Sequence, residues 1–186
     1  VLIIMLIPIF IVIGIIIAID SGNPVIYKQY RVGKHNKLFY IYKFRTMKTN
    51  TRLAATSELT EADECITRSG RFLRKTSLDE LPQLFNVLIG DMSFVGPRPL
   101  IPEEKEIRNL RKEYNVYSVR PGITGWAQVN GRKEVEWNRR IELNVWYVEN
   151  VSLWLDIKIF FITIFKVFTN ADNENVSETV TTKNNR

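Results

Sequence analysis

The sequence holds one cysteine, Cys65, and one histidine, His35. A single cysteine excludes an internal disulfide and any CxxC metal site, and suits a reducing compartment. A single histidine, in the turn Gly33-Lys34-His35-Asn36, leaves no HExxH helix, no cysteine–histidine zinc cluster and no Ser-His-Asp triad. We read His35 as a solvated loop residue. No Asp-x-Asp pair occurs, which argues against a metal-dependent nucleotide-sugar glycosyltransferase of the usual kind. Neither the GxGxxG nor the GxxxxGKS/T pattern is present. Charge is missing altogether from Val1–Ile19.

What is there is basic. The 186 residues carry a net charge of +6, and the length suits one domain with a real core. A cationic balance calls for an anionic partner. No nucleic-acid motif appears, and the basic residues are scattered among apolar ones, so lipid and phosphate are expected and nucleic acid is not.

Val1–Ile19 as one helix would be about 28 Å long, close to the hydrocarbon thickness of a bilayer. It has no basic n-region and no small-residue cleavage site, so a cleaved signal is not expected. Pro8 removes one backbone hydrogen bond and favours a kink. An ordinary spanning helix and a helix that turns back to the same face both fit these residues. Asp20-Ser21-Gly22-Asn23-Pro24 is a turn. Val25–Tyr30 and Leu38–Met47 read as two strands joined by Gly33–Asn36. Lys48–Glu64 is polar and expected at the surface. Ile66–Thr76 predicts a short helix with Arg68, Arg71 and Arg74 on one face, suited to lipid headgroups or to solvent.

Ser77–Pro99 is the stretch around which the rest is arranged. Leu81, Leu84, Phe85, Leu88 and Ile89 recur at helical spacing, and Gly90 is placed to end the helix. Asp79 and Glu80 open it. Ser77 followed by Glu80 matches a capping box, so the acids have a structural explanation. They also have a chemical one, because Gly96-Pro97-Arg98-Pro99 presents an arginine between two prolines of fixed φ. Pro102–Tyr114 predicts a charged helix. Val119–Arg132 holds Gly122, Gly125 and Gly131 between Arg120 and Arg132; such glycines suit a close approach of backbone amides to phosphate, or a tight structural turn. Lys133–Glu149 predicts an amphipathic helix with Val135, Ile141, Val145, Trp146 and Val148 as burying positions. Val151–Phe168 is apolar but carries Asp156, Lys158 and Lys166, which argues for the interface plane or the back of the fold over a span. Asn170–Arg186 is a polar tail.

Carboxylates with arginines and lysines suit phosphoryl transfer. Mg²⁺ prefers oxygen ligands and is usually held by one or two carboxylates plus substrate phosphates. A carboxylate can also attack phosphorus and form an acyl phosphate, and fixed cations stabilise the transferring group.

Long motifs sharpen this. YKFRTM (Tyr42–Met47), RKTSLDELPQLFNVLIGDMSFVGPRP (Arg74–Pro99), RPGITGWAQVNGR (Arg120–Arg132), the segment Trp146–Ile159 and Val180-Thr181-Thr182 closely resemble the bacterial sugar transferases. These are the polyprenyl-phosphate sugar-1-phosphate transferases, or small monotopic phosphoglycosyl transferases. The resemblance implies that a UDP-sugar and undecaprenyl phosphate give undecaprenyl-diphospho-sugar and UMP, the first membrane step of capsule, O-antigen, exopolysaccharide or glycoprotein glycan assembly. It implies Asp79 as nucleophile, Glu80 as the Mg²⁺ ligand, and Lys43, Arg98 and Arg132 at the substrate phosphates. It implies an α+β, mainly helical catalytic domain with a small antiparallel hairpin and amphipathic interfacial helices. That domain is seated on the cytoplasmic face of the bacterial inner membrane by a re-entrant, Pro-kinked first helix. The expected division is residues 1–19 for that helix, 20–169 for the catalytic domain and 170–186 for the tail. Ile7 stands before Pro8 where small members often carry serine. The partners implied are the UDP-sugar, with an N-acetylated amino sugar among the candidates, undecaprenyl phosphate and membrane lipid; homo-oligomerisation stays open. Direct transfer with both acids on the metal, and a silent membrane scaffold, are the alternatives.

Overall fold

The computed structural model describes residues 2–48, 65–130 and 137–169. The expected polar excursion after Lys48, the tail from Asn170, Val135 and Arg132 lie outside the described residues. The chain forms two compact units, Val1–Lys28 with Tyr42–Phe85, and Gln29–Ile41 with Asn86–Arg186.

In the first unit, α1 (Leu2–Ser21) continues as a single helix through Pro8. It is apolar all round but buries only one stripe. Phe10, Ile13 and Ile17, at helical spacing, pack against Phe44 and Leu73, with Val25, Ile26, Leu78 and Leu81 around them. Ile4, Met5, Ile15 and Ile16 stay exposed. By length and composition α1 is able to cross a membrane. Its end is held by a buried arginine. Arg45 donates through Nη2 to the Ser21 carbonyl (2.7 Å), to Ser21 Oγ (3.0 Å) and to the Gly22 carbonyl, which satisfies carbonyls that a helix C-terminus leaves open.

The strands β1 (Ile26–Val32) and β2 (Leu38–Phe44) form a two-stranded sheet. β2 stops at Phe44, short of the expected Met47, because Arg45 turns away to α1 and Met47 forms an isolated bridge with Ile66. His35 takes a left-handed conformation in the connecting turn (φ 55°) and is exposed, as expected. Helix α2 (Arg68–Lys75) is capped by Thr67 Oγ1, which accepts from the Gly70 N–H at 3.0 Å. Gly70 lies so close to the Thr46 carbonyl that a Cβ there would be under 3.0 Å from backbone. Arg68 and Arg71 are exposed, whereas Arg74 turns inward and donates from Nε to Thr46 Oγ1 at 2.9 Å.

Helix α3 (Gln83–Ile89) ends as expected at Gly90, whose φ is +90°. Asn86, wholly buried, donates to the Tyr40 carbonyl at 2.6 Å and accepts at its own carbonyl from the Asp91 and Met92 N–H groups. The second unit then builds a pairing that the sequence did not announce. β3 (Ser93–Val95) and β4 (Gly122–Thr124) run parallel, Ser93 opposite Gly122 and Val95 opposite Thr124. Helices α4 (Lys105–Glu113), α5 (Trp126–Asn130), α6 (Trp137–Glu149) and α7 (Leu153–Thr169) complete it. Val95, Val129, Tyr147 and Ile159 form the core. On α6, Ile141 is buried as expected, but Tyr147 rather than Trp146 reaches the core; Tyr147 donates to Asp156 Oδ1 of α7 at 2.7 Å. Trp146 instead stacks on Trp126 and stays partly exposed.

Gly96, Gly122 and Gly125 allow close packing of backbone. A Cβ on Gly122 would come under 3.0 Å from the Gly96 nitrogen, one on Gly96 under 3.0 Å from the Arg120 carbonyl, and one on Gly125 under 3.0 Å from the Gly96 carbonyl. Of the two readings of this loop, the close backbone approach is therefore made to the Gly96 segment of the chain itself at Gly122 and Gly125; Gly131 lies outside the described residues.

Candidate active site

The carboxylate pair does not open α3. Ser77 is left-handed (φ 57°) and its side chain makes no cap, so the capping box is not formed. Leu78–Glu80 is a single 3₁₀ turn, with the Glu80 N–H on the Ser77 carbonyl at 3.2 Å. Pro82 explains the interruption. It has no N–H to continue an α-helical ladder through the acids, and the next bonds, Leu84 to Leu81 and Phe85 to Pro82, still span three residues. Asp79 and Glu80 thus sit on a short, stiff turn between α2 and α3, with Leu78 and Leu81 anchored against the α1 core.

Three of the charged groups around Asp79 converge within the first unit. Lys43 on β2 pairs with Glu80 Oε1 at 2.6 Å, and both side chains are about four-fifths buried, at 18% and 20% exposure. Arg74, at the end of α2, adds a second positive field at Asp79. By spacing alone Arg74 belongs to a basic stripe with Arg68 and Arg71. Its distance of five residues from Asp79 carried no signal, and the bond to Thr46 is what turns it inward.

The Asp79 carboxyl is pushed up to about 6. Loss of hydration is the largest cause and the adjacent Glu80 carboxylate the next; Lys43, Arg74 and the residue's own backbone N–H oppose them. The carboxylate still predominates at neutral pH, and it is a more basic carboxylate than an exposed one. A carboxyl raised in the folded state binds its proton more tightly there than in the unfolded chain. Its contribution to stability is therefore complete below about pH 4 and is lost as pH rises through about 6. Asp79→Asn removes that loss. In EDTA near neutral pH the variant should be more stable than the parent by on the order of 1–2 kcal/mol, with the difference closing toward about pH 4. Thermal melts across that range test this; a difference independent of pH refutes it.

Arg98 belongs to the second unit, where its side chain is exposed and its carbonyl accepts from Arg111 Nη1 at 2.7 Å. The fifth expected residue, Arg132, lies outside the described residues. Among the described residues no group of three or more His, Cys, Asp or Glu side chains gathers. The donor set is two adjacent carboxylates on a stiff turn. Such a set fits a hard cation that completes its shell with substrate phosphate and water, and does not fit an all-protein cage.

Comparison with known proteins gives a consistent result. A family model described as bacterial sugar transferase matches residues 1–170. An uncharacterized sugar transferase of Bacillus subtilis is 47% identical over 152 residues, covering 82% of this chain and 74% of the relative. A UDP-glucose:undecaprenyl-phosphate glucose-1-phosphate transferase of Escherichia coli is 42% identical over 170 residues, 88% of this chain and 37% of the relative. An undecaprenyl-phosphate galactose phosphotransferase of Salmonella typhimurium is 47% identical over 158 residues, 77% and 33% respectively. The chain thus spans only about a third of the length of these two named transferases.

Proposed function

The chain belongs to the bacterial sugar transferase family, and from that premise we propose that it transfers a sugar-1-phosphate from a UDP-sugar to undecaprenyl phosphate, releasing UMP. The observation that carries the reading is the half-buried Asp79, raised in pKa beside Glu80, Lys43 and Arg74 on a 3₁₀ turn.

The roles divide by what each group is doing. Lys43 makes its ion pair with Glu80, whereas Asp79 feels Lys43 and Arg74 chiefly as positive fields, with its own backbone N–H adding less, and so remains suited to attack. An Asp79 oxygen forms a bond to the β-phosphorus. The bond from that phosphorus to the bridging oxygen breaks, and UMP leaves with the electron pair. An oxygen of undecaprenyl phosphate then attacks the same phosphorus and expels Asp79, which regains its carboxylate. Lys43 and Arg74 stabilise charge on the phosphoryl oxygens, and their positions are set before substrate arrives. Arg98 and Arg132 are assigned to substrate phosphates by the motifs that carry them. Glu80 would hold Mg²⁺ with the substrate diphosphate, which supplies charge neutralisation at the transferring group.

Membrane seating follows from α1. Its exposed apolar faces and its arginine-clamped end suit a helix inserted from the cytoplasmic leaflet; a return to the same face needs a bend at Pro8, through which α1 runs here as one helix. The donor sugar differs between the relatives, glucose in one and galactose in another, so it is left to experiment.

Purified protein with Mg²⁺ and a panel of UDP-sugars tests the proposal. One stoichiometric burst of UMP without lipid, and continuous release with undecaprenyl phosphate, is the expected pattern for one donor. UMP that appears only with lipid present replaces the covalent route by direct transfer. No release from any donor, with lipid present, removes the transferase reading.

A further inference from the structure

The Pro-Arg-Pro element has an unusual hydrogen-bonding problem. Pro97 and Pro99 have no N–H, so of the three residues only Arg98 offers a backbone donor. It is fixed through its carbonyls. Four in succession are taken: Pro97 by the Gly122 N–H (3.1 Å), Arg98 by Arg111 Nη1 (2.7 Å), Pro99 by Arg31 Nη1 (3.3 Å) and Leu100 by the Val32 N–H (2.9 Å). Two of these donors are backbone groups of paired segments. The shortest bond, and the one to the arginine itself, comes from a side chain thirteen residues away on α4.

Arg111 is an expensive way to make that bond. It is 6% exposed. Burial depresses its guanidinium to about 10, against the partial support of Tyr117 and Glu104. It remains a cation at neutral pH. Its Nε and the Tyr117 hydroxyl are buried with no hydrogen-bond partner, and both residues line a small, partly open pocket beside the loop. A buried charge is often worth no more to stability than an apolar side chain of the same volume. What a guanidinium supplies here, and an apolar side chain does not, is one short charge-assisted bond to one atom. Without it the Arg98 carbonyl loses its short charge-assisted bond, while the neighbouring Pro99 carbonyl keeps the longer one from Arg31.

We propose that Arg111 is a positioning residue: its hydrogen bond to the Arg98 carbonyl sets where the Arg98 guanidinium meets substrate phosphate. The proposal rests on the reading of Arg98 as a phosphate ligand. Arg111 itself does not reach substrate and acts only through the loop.

A double-mutant cycle on the full chain, with Arg111→Met and Arg111→Lys each made alone and with Arg98→Ala, separates these points. UMP release at varied UDP-sugar gives kcat/KM, and thermal melts report folding. Arg111→Met should fold and lose about 10–100-fold in kcat/KM, as misplacement of a binding group does. In the Arg98→Ala background the same change should cost less than about 3-fold, because the residue it positions is gone. Arg111→Lys, which keeps a donor, should fall between parent and Arg111→Met. Equal losses in both backgrounds overturn the inference while leaving Arg98 in its role. Unchanged kcat/KM for Arg98→Ala alone overturns the phosphate reading of Arg98 instead. Failure of both Arg111 variants to fold also overturns the inference, since Arg111 would then hold the unit and not the loop alone.

Discussion

Asp79→Asn should remove turnover, by at least about 10³-fold, and should abolish any phosphosugar adduct. An amide nitrogen or oxygen is a poor nucleophile toward a diphosphate. Glu80 is engaged by Lys43 at 2.6 Å. The variant keeps the shape of the site and relieves the desolvated charge that now opposes folding, so it should be at least as stable as the parent. Intact-mass measurement after incubation with the turned-over UDP-sugar, without lipid, is the direct readout. The parent should gain one phosphosugar and Asp79→Asn none. Undiminished turnover in a folded variant would remove Asp79 from the chemistry and leave Glu80 as the remaining carboxylate.

Gly122→Ala should have the largest effect on folding. The added methyl would meet the Gly96 nitrogen, the Thr124 carbonyl and the Val95 carbonyl carbon, all under 3.0 Å and all backbone. Backbone atoms in a ladder cannot rotate aside as a side-chain tip does. Relief requires β3 and β4 to separate, which breaks the Gly96-to-Thr124 and Ser93-to-Pro121 hydrogen bonds and the core laid over Val95. We expect a cost above about 3 kcal/mol, hence a melting temperature lower by roughly 6–12 °C for a chain of this size, or no soluble protein. Gly22→Ala is the control. Its φ is +75° but nothing lies within 4 Å of the new methyl, so only backbone strain of about 1 kcal/mol is at stake. Equal melting temperatures for the two variants would refute the close strand contact.

Several features were legible in the sequence because they are local. The apolar run of α1, the hairpin turn at Gly33–Asn36 and the end of α3 at Gly90 each depend on neighbours within a few positions. The candidate acids were legible as residues but not as geometry. Ser77 and Glu80 have the spacing of a capping box, yet Pro82 blocks the helical ladder and the pair becomes a 3₁₀ turn. The β3–β4 pair was hidden because three-residue strands leave no alternation to read, and because its partner lies almost thirty residues away. Arg45, Arg74 and Arg111 read alike as cations in a basic chain. Only the folded chain shows that the first clamps the end of α1, the second turns toward Asp79 and the third grips the Arg98 carbonyl.

The sequence by itself determined the family and the candidate acids and cations of the proposed chemistry, because long contiguous motifs carry those residues and the scarcity of histidine and cysteine leaves few alternatives. The tertiary structure alone decided which cations stand beside Asp79, how far its carboxyl is raised, and why glycine is required at 96, 122 and 125. Those depend on burial and on contacts between segments distant in the chain. Desolvation and close packing are set by what surrounds a group in space, and the order of residues records that only after the chain has folded.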